Sequence, residues 1–167
     1  LQTIYPLNPI QVVNNPYREE LQISEEKTIL MYSGSMSKKQ GLDLLVEVIK
    51  ALAHLPNLIW LLAGEGPTKG ELIQNTAVQN NVMHLPLQPE SRMNDWLNLA
   101  DIHLLPQKAN AADLVLPSKL LGILASGRPL VASTPAGSEL GLLAEQAGIR
   151  VEPGDSEEFS QAIGELV

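Results

Sequence analysis

The sequence predicts an α/β fold: a doubly wound, mostly parallel six-stranded sheet with helices on both faces. Three observations predict it. Six short apolar runs recur along the chain; stretches with helical spacing separate them; and Gly, Pro or Ser punctuates the end of nearly every run. Runs that are apolar on both faces belong to strands covered on both sides, and alternation with helices makes those strands parallel.

The elements follow in order from Thr28. Thr28-Ile29-Leu30-Met31-Tyr32 is a buried strand that ends in the turn Ser33-Gly34-Ser35. Leu42, Leu45, Val46, Ile49, Leu52 and Ala53 recur at helical spacing and define one apolar face. A second strand, residues 58–63, ends at Gly64-Glu65-Gly66-Pro67, and a weaker helix spans 68–79. Residues 82–85 make a third strand, and Met93, Trp96, Leu97 and Ala100 mark a helix. Residues 101–105 make a fourth strand, closed by Pro106 and followed by an irregular loop over 107–116. Pro117 at the first helical position and Gly127 just past the last bound another helix. A fifth strand covers 129–133, Ser138 caps the next helix, and a sixth strand covers 149–151. Asp155 then caps a final helix whose Phe159, Ala162, Ile163 and Leu166 face inward. Pro6, Pro9 and Pro16 break the first 27 residues, which read as a linker holding at most a short helix at 17–21.

Composition excludes several functions. The chain has 167 residues, the length of one domain, and no cysteine, so disulfides, thiolate nucleophiles and Cys-based metal sites are out. A net charge of −8 opposes nonspecific nucleic-acid binding, which rests on Lys and Arg neutralising phosphates. It leaves room for a small phosphorylated ligand, which needs only a few local donors. No apolar run approaches the roughly 20 residues of a membrane helix. His54, His84 and His103 are too scattered for a metal site, and Asp101 and His103 read as structural.

Doubly wound sheets bind ligands outside the carboxyl ends of their strands, so function is expected in the strand-to-helix turns. Gly34-Ser35-Met36-Ser37-Lys38-Lys39-Gln40-Gly41 reads either as a phosphate cradle at a helix N-terminus or as an ordinary turn with solvated lysines. It matches neither the P-loop nor the dinucleotide fingerprint. Glu65 reads as an acceptor for a sugar or ribose hydroxyl pair, or as a favourable first-turn acid. At Pro117-Ser118-Lys119 the amides of Lys119, Leu120 and Leu121 and the Lys119 charge suit an oxyanion or diphosphate, or Lys119 is a lysine on an exposed helix face.

Taken together, these stretches resemble the C-terminal domain of glycosyltransferase family 4, a Rossmann-like half of the GT-B architecture. The resemblance rests on Tyr32-Ser33-Gly34 with Gln40-Gly41-Leu42-Asp43, on residues 62–67 and 99–106, on Leu116 to Ala132, and on Gly148 to Asp155. The Lys-Gln-Gly turn and the Pro-Ser-Lys-Leu helix start resemble the exopolysaccharide and colanic-acid subgroup. The resemblance implies a retaining hexosyltransferase whose donor is a UDP-, GDP- or TDP-sugar and whose acceptor is a glycan or lipid-linked glycan, with no metal and no other cofactor. Donor contacts are then expected from Gly34, Ser35, Lys39, Gln40, Gly64, Glu65, Leu87, Ser118, Lys119, Leu120 and Leu121, with Lys119, from its placement, expected as the catalytic cation. Residues 1–27 are then expected to be the linker from a missing N-terminal domain, 28–167 the donor domain, and the isolated chain inactive. A cytoplasmic location, with peripheral association at the inner face of the plasma membrane, is expected of the full-length protein.

Two pairs of positions depart from the family pattern. An Arg and a Lys that clamp the diphosphate are replaced by Ser35 and Gln40, and two glutamates by Leu114 and Gly122. Lys119, assisted by Lys39 or Lys38, is expected to supply the missing charge. Two other readings stay open. One is a nucleotide-sugar epimerase of the same architecture, whose acid-base residues the spacing does not place. The other is a nucleotide-sugar-binding module without catalysis.

Overall fold

A computed structural model describes residues 14–111 and 118–167. The first helix, α1 (Pro16–Glu20), is short but well started. Asn15 accepts a hydrogen bond from the Tyr17 amide, and Pro16 presets the first turn. Six strands follow: β1 (Thr28–Ser33), β2 (Leu58–Ala63), β3 (Val82–Leu85), β4 (Ile102–Leu105), β5 (Leu130–Ser133) and β6 (Gly148–Val151). The helices between and after them are α2 (Leu42–Ala51), α3 (Lys69–Thr76), α4 (Met93–Leu99), α5 (Ser118–Ser126), α6 (Glu139–Ala147) and α7 (Ser156–Leu166).

The strands lie in the order β3-β2-β1-β4-β5-β6, and every pairing is parallel. The chain therefore winds outward in one direction from β1 and in the other from β4. The crevice between β1 and β4 is the place where a doubly wound sheet admits ligand.

Strand alternation divides the core into two layers. Leu30 and Tyr32 of β1 point to the face covered by α2, α3 and α7, where Phe159 and Ile163 are buried. Ile29 and Met31 point to the opposite face, covered by α1, α4, α5 and α6, where Trp96, Leu120 and Leu140 are buried. Residues 14–27, expected to be a linker, carry part of this second layer: Tyr17 and Ile23 are buried there, and Tyr17 meets Trp96 edge to face at 5.1 Å.

Several boundaries differ from the sequence expectation for identifiable reasons. β4 begins at Ile102 because the Asp101 carboxylate instead accepts the Ile29 amide at 2.8 Å and faces Arg18 at 3.3 Å. β5 begins after Pro129, which has no amide and contributes only its carbonyl, to His103. α3 stops at Thr76, whose hydroxyl donates back to the Leu72 carbonyl. The caps predicted at Ser138 and Asp155 are formed: they accept from the Gly141 and Glu158 amides.

Candidate functional site

Three strand ends converge on the crevice. The turn after β1 is held from several sides. The Gly34 amide donates to the Ala63 carbonyl at 2.9 Å, and the Met36 amide to the Glu65 carbonyl at 2.9 Å. Trp96 of α4 donates its indole N–H to the Ser33 hydroxyl at 3.0 Å, and Tyr32 donates its hydroxyl to the Ser35 carbonyl. The turn after β2 lies directly against it. A Cβ on Gly64 would run into the Gly34 carbonyl oxygen, and one on Gly66 (φ +154°) would come within 2.5 Å of the Met36 carbonyl oxygen. Glycine in the second turn is thus what lets the two turns touch.

The loop after β4 is fastened by β5. The Ser133 hydroxyl accepts the Gln107 amide at 2.9 Å and donates to the Gln107 carbonyl at 3.0 Å. Gly41, left-handed at φ +63°, lies against this loop, where a Cβ would meet the Gln107 backbone at 3.3 Å. Two amide oxygens beside this contact, Oε1 of Gln40 and of Gln107, are buried without a hydrogen-bond partner among the described residues. Buried acceptors in that state are costly and suit an added donor.

Lys119, in the first turn of α5, reaches across to the turn after β1. A Cβ on Gly34 would lie 3.3 Å from both Cδ and Nζ of Lys119. Its ammonium sits 4.0 Å from the centre of the Tyr32 ring. Burial pushes the Lys119 amine down to about 7, because removal from water disfavours the charged form. A bound anion would reverse that bias.

The other sequence-selected residues are distributed as follows. Ser35 and Lys39 are exposed on the first turn, and Lys39 gives its carbonyl to the Lys108 amide. Lys38 lines a separate groove of about 450 Å³ between α2 and α3, together with Asp43, Glu47 and Glu71. Gly64 is packed under the first turn, whereas the Glu65 carboxylate is exposed and pairs with Lys69 at 2.6 Å. Leu87 is exposed in the loop after β3, and Leu121 is exposed on α5. The Leu120 side chain is core, so only its backbone can face a ligand. Ser118 is exposed at the start of α5. Leu114 and Pro117 lie outside the described residues. Gly122 faces α4: a Cβ there would lie 2.9 Å from Leu97 Cδ1. Among the described residues, no cluster of three or more His, Asp or Glu is placed to hold a metal ion.

Sequence reasoning missed Tyr32, Trp96 and Ser133, the side chains that shape the two loops. In the sequence Trp96 and Ser133 read only as helix and strand residues, and Tyr32 only as a strand residue within the motif that carries the resemblance. The signal for Tyr32 and Ser133 was available: a hydroxyl-bearing residue at the carboxyl end of an apolar strand sits next to the loop whose backbone it can bind.

A family model described as glycosyl transferases group 1 matches residues 27–167. A putative colanic acid biosynthesis glycosyl transferase of Escherichia coli is 40% identical over 131 residues, which are 77% of this chain and 32% of that protein. The chain spans about a third of the length of the curated relatives it matches. Among solved structures, a glycosyltransferase from Rickettsia africae superposes with TM-score 0.77 at 18% identity, covering 96% of this chain and 43% of that one. An Anabaena protein solved in complex with UDP and glucose gives TM-score 0.72 at 17% identity, covering 90% of this chain and 41% of that one.

Proposed function

The chain belongs to the glycosyl transferases group 1 family, and from that premise we propose that it is the donor-binding domain of a retaining hexosyltransferase. The donor in this reading is a UDP-, GDP- or TDP-sugar, and the acceptor is a polysaccharide or lipid-linked glycan bound mainly by a domain outside this chain. The observation that carries the reading is the approach of Lys119 to Gly34. It sets one ammonium, carried by the first turn of α5, beside the turn after β1 at the reversal point of the sheet.

In the transfer, the bond from the anomeric carbon to the β-phosphate oxygen breaks and the acceptor oxygen bonds to that carbon on the same face. The acceptor proton passes to the departing diphosphate. The diphosphate gains negative charge as it leaves, and a cation already in place stabilises it without reorganisation. Lys119 supplies that cation here, with helix amides in place of a metal. The oxygens of Gln40 and Gln107, without a partner among the described residues, are acceptors of the kind that sugar hydroxyls satisfy.

The test uses the full-length protein. Thermal shifts with UDP-, GDP- and TDP-sugars should identify one base by a stabilisation that grows with ligand concentration. Lys119→Ala should then weaken that donor about 10–100-fold, the size of a lost charge-assisted contact. Unchanged donor affinity and turnover in Lys119→Ala would rule the assignment out. A donor-binding module without transfer is the second reading. It is favoured by Gly122, which is packed against Leu97 where the family pattern carries a glutamate. Acceptor-dependent release of nucleoside diphosphate distinguishes the two.

A further inference from the structure

Tyr32 is completely buried at the carboxyl end of β1, and two unrelated contacts meet on it. Its hydroxyl donates to the Ser35 carbonyl, which turns that oxygen toward the protein interior. Its ring face lies under the Lys119 ammonium, 4.0 Å from Nζ to the ring centre. The first contact acts on the loop after β1 and the second on α5, so one rigid side chain spans the two halves of the anion site. A carbonyl oxygen aimed at a phosphate would repel it. An ammonium without a counter-charge would swing to water unless something replaced its hydration. An aromatic face does so, through its quadrupole, without adding a negative charge that would compete with an anion.

We propose that Tyr32 is a positioning residue of the diphosphate site: its ring seats the Lys119 ammonium over the turn after β1, and its hydroxyl holds the Ser35 carbonyl away from the anion. This rests on the reading of Lys119 as the diphosphate cation. Among the described residues, the titratable groups facing Lys119 are Tyr32 from β1 and His103 from β4. Both are neutral near pH 7, because burial raises the Tyr32 phenol and lowers the His103 imidazole to about 4. The Lys119 amine, held down to about 7 by burial, must therefore take up a proton when an anion arrives at higher pH. Affinity is full below that value and falls as pH rises above it.

Isothermal titration of UDP, GDP and TDP into the full-length protein between about pH 6.5 and 9 reads each contribution. The wild type should bind one of them with affinity that declines above about pH 7, and Lys119→Ala should remove the decline together with most of the affinity. Tyr32→Phe keeps the ring and loses the hydroxyl; it should bind about fivefold more weakly at every pH, the value of one hydrogen bond. Phenylalanines of increasing ring fluorination at position 32 keep the shape and weaken the quadrupole. Across that series, affinity at about pH 8 should drop stepwise, to about tenfold below Tyr32→Phe, with the decline setting in at progressively lower pH. If no nucleoside diphosphate binds, or Lys119→Ala binds as the wild type does, the reading of the site falls and the role of Tyr32 with it. If Lys119→Ala loses binding but the fluorinated series shows no trend, or Tyr32→Phe is unaltered, the positioning role alone is overturned.

Discussion

Two basic side chains near the crevice are pushed down in pKa by the same cause, burial, but to different extents. His103 is buried within the sheet, with Nε2 3.0 Å from the Leu97 carbonyl, and burial pushes its imidazole down to about 4. In the donor tautomer it closes the end of α4 against β4, which is a structural task. Lys119 is pushed down only to about 7, and under the proposed donor-binding reading an incoming anion restores its proton. The His103 environment has a consequence for stability. The unfolded chain takes up a proton near pH 6.5 and the folded chain only near 4, so the contribution is fully present above 6.5 and is lost as pH falls toward 4. It should amount to about 3 kcal/mol across that window. Urea denaturation at stepped pH should show this acid limb, and His103→Gln should flatten it; a variant with the same acid limb as the wild type would remove His103 as the cause.

At the scale of elements, helices are fitted to the site by what they pack against. α5 directs Lys119 from its first turn toward the turn after β1, while Leu120 and Ile123 bury against the sheet and Gly122 lets α4 approach. Leu97 Cδ1 occupies the space a side chain at 122 would need. The family-pattern glutamate therefore cannot simply be restored. Gly122→Glu should cost about 2 kcal/mol or more, since it places a carboxylate on a buried helix face already filled by Leu97. Leu97→Ala, which by itself should cost about 2–5 kcal/mol, should cost clearly less in the Gly122→Glu background. A double-mutant cycle by chemical denaturation checks this, and strict additivity would show that the two positions do not share the space.

At the scale of the whole molecule, the sheet order sets the crevice and the segment before β1 is clasped onto the layer beneath it. Tyr17 touches Trp96, and its hydroxyl donates to Gln88 in the loop after β3 at 2.8 Å. Arg92 stacks 3.9 Å over the Tyr17 ring and pairs with Glu20 at 2.7 Å. Trp96 in turn donates to Ser33, at the start of the turn after β1. Tyr17→Ala should therefore destabilise the fold by about 3–5 kcal/mol, like other buried aromatic truncations; a loss under about 1 kcal/mol in a denaturant melt would mean that α1 is only loosely attached. The sequence by itself determined the elements: the apolar runs, helical spacings, Ser138 and Asp155 caps and the glycines at strand ends each act through neighbours a few residues away. It also marked Gly34 and Lys119 as candidates, because helix N-termini and strand-end turns are local features. Tertiary structure alone decided that these two meet, that Tyr32 lies beneath them, that Glu65 turns to Lys69 and Lys38 to another groove, and that Gly122 is a packing position. Those outcomes depend on which strands become neighbours. β1 and β4 are separated by nearly seventy residues of chain, and although each apolar run marks a strand buried on both faces, no local pattern records which of them pair.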